Sequence, residues 1–130
     1  MELPQTLPEK TAPIVRAAVK SVRDAAPEAT EIPYKMARPR SKSMMWKLVR
    51  YAVDRENVVG IGTFSEHAAM FFYRGRELSE AVGAPRSADG KVLLQGSGKD
   101  TRFIPLRTTA DASSAPIKRL LRQAFRLGGS

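Results

Sequence analysis

The 130-residue chain carries 22 Lys and Arg against 13 Asp and Glu, a formal charge of +9, with 42% hydrophobic and 27% charged residues and no cysteine. That length suits one domain burying about two-thirds of the surface its unfolded form exposes, and the composition is that of an ordinary globular protein rather than a disordered one. Without cysteine there is no disulfide, no thiolate nucleophile and no thiolate-ligated zinc or iron–sulfur centre.

No apolar run approaches the roughly 18 to 20 residues that span a bilayer, and Met1 to Leu7 lacks the charged start and apolar centre of a secretory signal. A single domain over residues 1–130, with its core within about 14–127, is therefore expected in the cytoplasm, without a membrane partner. The basic excess draws anions: nucleic acid, phosphorylated metabolites, acidic proteins. The same excess also serves plain solubility.

The first predicted helix follows a proline-punctuated entry, with Thr11 as cap and Pro13 in the first turn. Val15, Ala18, Val19, Val22 and Ala26 recur at helical spacing, Arg16, Lys20 and Arg23 face away, and Pro27 ends the element. A capping box of Thr6 with Glu9 would lengthen this helix, but only by placing Pro13 inside it. Glu31 to Met36 reads as a short strand and Ala37 to Ser43 as a loop. In Met44 to Val53, with Ser43 as cap, the apolar set Met45, Leu48, Val49, Ala52 and Val53 fits a helix, while Tyr51 and the valines leave a strand open.

Val58 to Phe64 and Ala68 to Tyr73 are β-branched or aromatic runs split by Ser65-Glu66-His67, the pattern of a hairpin. After an irregular stretch from Gly83 to Gly90, Thr101 to Arg107 predicts a further strand, which Pro105 assigns to an edge or a strand end. The closing helix has Ser114 as cap, Pro116 in its first turn and Gly128 as its stop. Ile117, Leu120, Leu121, Ala124 and Phe125 line one face, and Lys118, Arg119, Arg122 and Arg126 the other. Together these elements predict an α+β fold of two layers, an antiparallel β-sheet packed against N- and C-terminal helices.

Two segments carry a family resemblance over roughly Ile14 to Leu127. Phe71-Phe72-Tyr73-Arg74-Gly75-Arg76-Glu77-Leu78 is similar to an aromatic strand ending in a basic residue, glycine and leucine. Leu94-Gln95-Gly96-Ser97-Gly98-Lys99-Asp100-Thr101-Arg102-Phe103 is similar to a Leu-x-Gly-x-Gly-Lys-x-x-Arg turn. In this order and spacing they resemble the bacterial YdhG-like family, domain of unknown function 1801. The resemblance implies an antiparallel sheet packed on helices, in a family with one member described as a frataxin-like iron chaperone. The chain departs from the family pattern at Pro33-Tyr34-Lys35-Met36, where a Trp-Gly-Met-Pro-like stretch is common, and in an inserted Pro39 to Val53 segment.

No catalytic set assembles from the residues. Gly96-Ser97-Gly98-Lys99 resembles a phosphate loop only locally, because Asp100 and a strand follow Lys99 where a Walker A loop needs Ser or Thr and a helix; a tight turn is the better reading. His67, the sole histidine, sits in a predicted hairpin turn as a surface residue without a second histidine to complete a ligand set. The acids are scattered, so neither a hard-oxygen metal site nor an iron-binding acidic ridge emerges, and no cofactor is expected.

The anion-binding candidate is Lys35 to Arg50, which holds Lys35, Arg38, Arg40, Lys42, Lys47 and Arg50 without one acid and lies among Tyr34, Trp46 and Tyr51. Trp46 itself also suits core packing. Candidate ligand-binding residues are Tyr34, Arg38, Arg40, Lys42, Arg74, Lys99 and Arg102. The expected function is a non-catalytic binding module for an anionic ligand or acidic partner; the alternatives are a frataxin-like iron chaperone and a nucleic-acid-binding accessory protein without a base-reading motif.

Overall fold

A computed structural model describes residues 7–80, 93–96 and 98–128. The elements follow in the order α1 (Ala12–Ala25), β1 (Thr30–Pro33), β2 (Trp46–Val53), β3 (Glu56–Thr63), β4 (Ala68–Phe72), α2 (Gly75–Glu80), β5 (Arg102–Leu106), α3 (Thr109–Ala112) and α4 (Ala115–Gly128). The five strands form one antiparallel sheet in sequential order, β1-β2-β3-β4-β5. Helices α1 and α4 lie side by side on one face of it, so the expected α+β architecture with terminal helices on an antiparallel sheet is present. Thr6 and the Gly83 to Gly90 stretch fall outside the described residues, and among those described no helix is long and apolar enough to cross a membrane.

The helical stripes are buried as their spacing requires. Ile14, Val15, Ala18, Val19 and Val22 of α1 meet Ile117, Leu120, Leu121, Ala124 and Phe125 of α4 in one cluster with Val49, Val59, Ile61, Met70 and Phe72 from the sheet. Pro13 does occupy the first turn of α1, but the Thr11 side chain forms no cap. Its hydroxyl instead donates to the Pro8 carbonyl, within a turn in which the Thr11 and Ala12 amides also reach that oxygen. At α4 the Ser114 carbonyl accepts from the Lys118 amide, which places Ser114 at the cap position.

Residues 46–53 form a strand, and this corrects the helical reading of Met44 to Val53. Two register shifts interrupt its pairing with β3: between Lys47 and Val49 the extra residue is Leu48 of β2, and between Tyr51 and Ala52 it is Val58 of β3. With the pairing disturbed at both places, burial falls on Trp46, then Leu48 and Val49, then Tyr51 and Ala52. A strand kinked in this way imitates the spacing of a helical face. Ser43 accordingly caps no helix; its amide donates to the Ser41 hydroxyl in the preceding loop.

Tyr51 shows how the two layers are pinned. Its buried hydroxyl donates to Glu31 at 2.8 Å, and Arg23 of α1 grips the same carboxylate with two hydrogen bonds. The Arg23 bonds hold the Glu31 carboxyl below its ordinary range, against the opposing effect of partial burial. Burial first, then Glu31, pushes the Tyr51 phenol upward, so it remains a donor. On the far side, the Ser21 hydroxyl of α1 donates to the Ala112 carbonyl at 2.7 Å, and α3 itself is fixed by a capping box between Thr108 and Asp111.

The β2–β3 hairpin turns through Asp54 and Arg55, both in the left-handed region with φ of 51° and 68°. Val53 and Glu56 pair across them, so this is a two-residue turn of the I′ kind, which favours glycine at its second position. Arg55 is exposed and enters no ion pair among the described residues. Arg55→Gly is therefore expected to stabilise the protein by about 1 kcal/mol through relief of the left-handed penalty, measured as a higher midpoint in urea.

Candidate functional site

The loop between β1 and β2 and the β3–β4 turn enclose a cleft of about 210 Å³ at one end of the sheet. Arg38, Arg40 and Lys42 line it together with Met44, Trp46 and Phe64. The Arg40 and Lys42 side chains extend from an irregular loop, whereas Trp46 is the first residue of β2 and is only 6% exposed. The Trp46 indole donates to the Met36 carbonyl at 3.0 Å, and the Arg38 guanidinium lies 5.8 Å from its ring centroid. Trp46 is thus a core residue that also forms part of the cleft wall. Met44 stands 56% exposed at the rim.

Electrostatics around the cleft favour a negative guest. Glu66, next to the lining residue Ser65, is held by Lys10 at 2.8 Å, and that hydrogen bond lowers its carboxyl from the ordinary value, with Lys42 adding a smaller effect. His67 packs its ring on Phe64 with centroids 4.7 Å apart, half-buried rather than on the open surface. Burial, then the Arg107 charge, lowers its pKa, so the imidazole is neutral at pH 7.

The remaining candidates lie elsewhere. Arg74 sits at the start of α2, where it pairs with Glu77 at 2.8 Å and Glu56 at 3.5 Å and donates to the Leu127 carbonyl, closing the end of α4 against the sheet. Arg102 folds back on its own loop, donating to the carbonyls of Gly98 and Thr101. Lys99 is exposed in that loop, where its carbonyl accepts from Arg76. The loop is a turn that doubles back onto β5: Gln95 and Phe103 exchange two backbone hydrogen bonds, and Gly96 takes a φ of 121°. Ser97 lies outside the described residues.

Tyr34 belongs to the opposite face of the sheet, which none of the described helices covers. Its amide continues the β1–β2 pairing by donating to Leu48, and its hydroxyl bonds that of Tyr73. Burial, then this bond, pushes the Tyr73 phenol upward, so it stays protonated. Phe71 lies between them, 6.4 Å from the Tyr34 ring and 5.7 Å from Tyr73. The Arg50 guanidinium is 5.0 Å from the Tyr34 centroid, and the Lys47 ammonium is within 5.8 Å of both Tyr34 and Phe71.

Lys47, Arg50, Phe71 and Tyr73 were not singled out for this surface by sequence reasoning. Plain strand alternation would put Lys47 and Arg50 on opposite faces; the extra residue Leu48 brings them to the same one, opposite Gly62 and Gly60, so no local signal in the sequence groups them. Among the described residues no three His, Asp or Glu side chains gather in one place. No protein-family model, curated protein or solved structure matches this chain.

Proposed function

We propose that this chain is a non-catalytic binding module whose Arg38–Arg40–Lys42 cleft takes the phosphate or other anionic head of a ligand. The observation that carries the reading is the convergence of these three cations on one concavity beside Trp46. Its volume of about 210 Å³ is smaller than the roughly 300 to 1,000 Å³ of pockets for drug-sized ligands, which suits an anionic head group better than a whole cofactor. The kinship to the YdhG-like family belongs to the same proposal and rests on the Phe71–Leu78 and Leu94–Phe103 segments. The iron-chaperone alternative gains no support from the scattered acids.

Trp46 is the sole tryptophan, so its emission reports the cleft directly. Titration with pyrophosphate is expected to change that emission, with affinity falling as added salt shortens the reach of the cations. Replacing Arg38, Arg40 and Lys42 together by alanine is expected to abolish the response and leave the melting temperature nearly unchanged, because exposed loop charges contribute little to stability. An emission indifferent to pyrophosphate at low salt, or a triple variant that responds like the wild type, would refute the reading.

A further inference from the structure

Among the described elements both long helices pack on one face of the sheet, and none covers the other. That other face is built around two glycines. A side chain at Gly60 would run into the Phe71 ring, and one at Gly62 would meet Met45 at 2.5 Å. Phe71 and Met45 thus lie flat across strand β3 where its own side chains are missing. Phe71 is 5% exposed yet stands apart from the main core, as a lower layer on which other rings rest.

Above it, Tyr34 and Tyr73 are half-buried and tied together through their hydroxyls, and Phe103 is half-buried beside Phe71 on β5. Tyr34 leans on Phe71 at a tilt and Tyr73 contacts it edge-on. Rings fixed in this way lose little further freedom on binding, which lowers the entropic cost of a stacked complex. Two cations, exposed Lys47 and half-buried Arg50, stand over these rings, and neither enters an ion pair among the described residues.

No acid of the described strands opposes them. Glu31 serves Arg23 and Tyr51 on the helix-covered side, and Glu56 pairs with Arg74 at the start of β3. A surface that is aromatic and cationic, with no acid of the described strands beside it, matches a polymer that alternates planar π systems with negative charges. In a duplex the bases are stacked on one another and present only their edges, whereas a single strand can lay base faces on the rings. An acidic protein surface would satisfy the cations but leave the ring faces without planar partners.

We propose that the sheet face opposite α1 and α4 is a binding surface for single-stranded nucleic acid, with Tyr34, Tyr73 and Phe103 stacking bases and Lys47 and Arg50 holding the intervening phosphates. The surface is separate from the Arg38–Arg40–Lys42 cleft, and the proposal stands whether or not the cleft takes an anion. Affinity would come from stacking and charge, with little dependence on base sequence.

The test is fluorescence anisotropy with labelled oligo-dT and oligo-dA, each at several salt concentrations, against a duplex of mixed sequence. Single strands are expected to bind more tightly than the duplex. Replacing Lys47 and Arg50 by alanine should make the slope of log affinity on log salt shallower by about 1.4, at roughly 0.7 for each phosphate no longer neutralised. Tyr34→Leu should weaken single-strand binding by about five- to 150-fold, the range of one base–aromatic stack. Tyr34→Phe, which keeps the ring, should bind nearly as the wild type; circular dichroism melts confirm that each variant is folded. Four results would overturn the proposal: no single-strand binding at low salt, equal affinity for the duplex, an unchanged salt slope in the Lys47/Arg50 variant, or competition by polyglutamate as effective as that by oligo-dT. The Arg38/Arg40/Lys42 variant should retain the preference for single strands, which separates a failure here from a failure of the cleft reading.

Discussion

Phe125→Ala is expected to destabilise the protein by about 3 to 5 kcal/mol, a large part of the roughly 5 to 15 kcal/mol that holds an ordinary domain together. Phe125 is 9% exposed and belongs to the α4 stripe with Ile117, Leu120, Leu121 and Ala124, all packed into the cluster under the sheet. Truncation removes the transfer energy of the ring and leaves a cavity that neighbours fixed on β3 and α1 cannot collapse to fill. The opposite side of the same helix supplies the control. Arg122 is exposed and makes no ion pair among the described residues, so Arg122→Ala should change stability by less than about 0.5 kcal/mol. Urea unfolding of both variants measures the contrast; equal midpoints would show that the stripe is not packed as described.

Gly75→Ala is the second large effect, and its sign runs against helix propensity. Within a helix the exchange of glycine for alanine ordinarily gains about 1 kcal/mol. Gly75 opens α2, however, and a methyl group there would overlap the Arg102 Cβ and lie 2.6 Å from the Arg102 backbone nitrogen. Arg102 is held in β5 by its register with Phe72, so the strand backbone rather than a flexible side chain would have to move. A net loss of about 1 to 3 kcal/mol is expected, as for overpacking elsewhere. Gly98→Ala is the comparison, since its nearest neighbour is the Thr101 carbonyl at 3.7 Å. Thermal melts should show a drop of several degrees for Gly75→Ala and little change for Gly98→Ala.

This close approach also gives a physical reason for one segment singled out in the sequence. The aromatic strand that ends in Arg74-Gly75 needs a residue without a side chain where α2 crosses the start of β5, and Leu78, 4% exposed, then anchors that helix in the core. Arg74 of the same segment is spent on Glu77, Glu56 and the Leu127 carbonyl, so its charge stabilises the corner between α2 and α4 instead of facing a ligand. Arg102 is likewise taken up by its own loop.

The sequence by itself determined the elements whose periodicity is undisturbed. The stripes of α1 and α4 follow from apolar residues spaced to one face of a helix, and the β3–β4 hairpin from two β-branched and aromatic runs around Ser65-Glu66-His67. Pro105, which has no amide to donate to an outer strand, assigned its strand to an edge or a strand end, and β5 does lie at the edge. Cationic character in Lys35 to Arg50 was equally plain, since composition alone reports charge. Tertiary structure decided the rest. The register shifts between β2 and β3 depend on which residues pair, and the resulting spacing of buried residues in β2 is indistinguishable from a helix until the partner strand is known. Once β2 is a strand, the basic run divides between two surfaces: Arg38, Arg40 and Lys42 round the cleft, Lys47 and Arg50 over Tyr34 on the sheet face opposite α1 and α4. Tyr34 meets Tyr73 across 39 residues of chain, and such a contact is set by strand order and register, which no local pattern encodes.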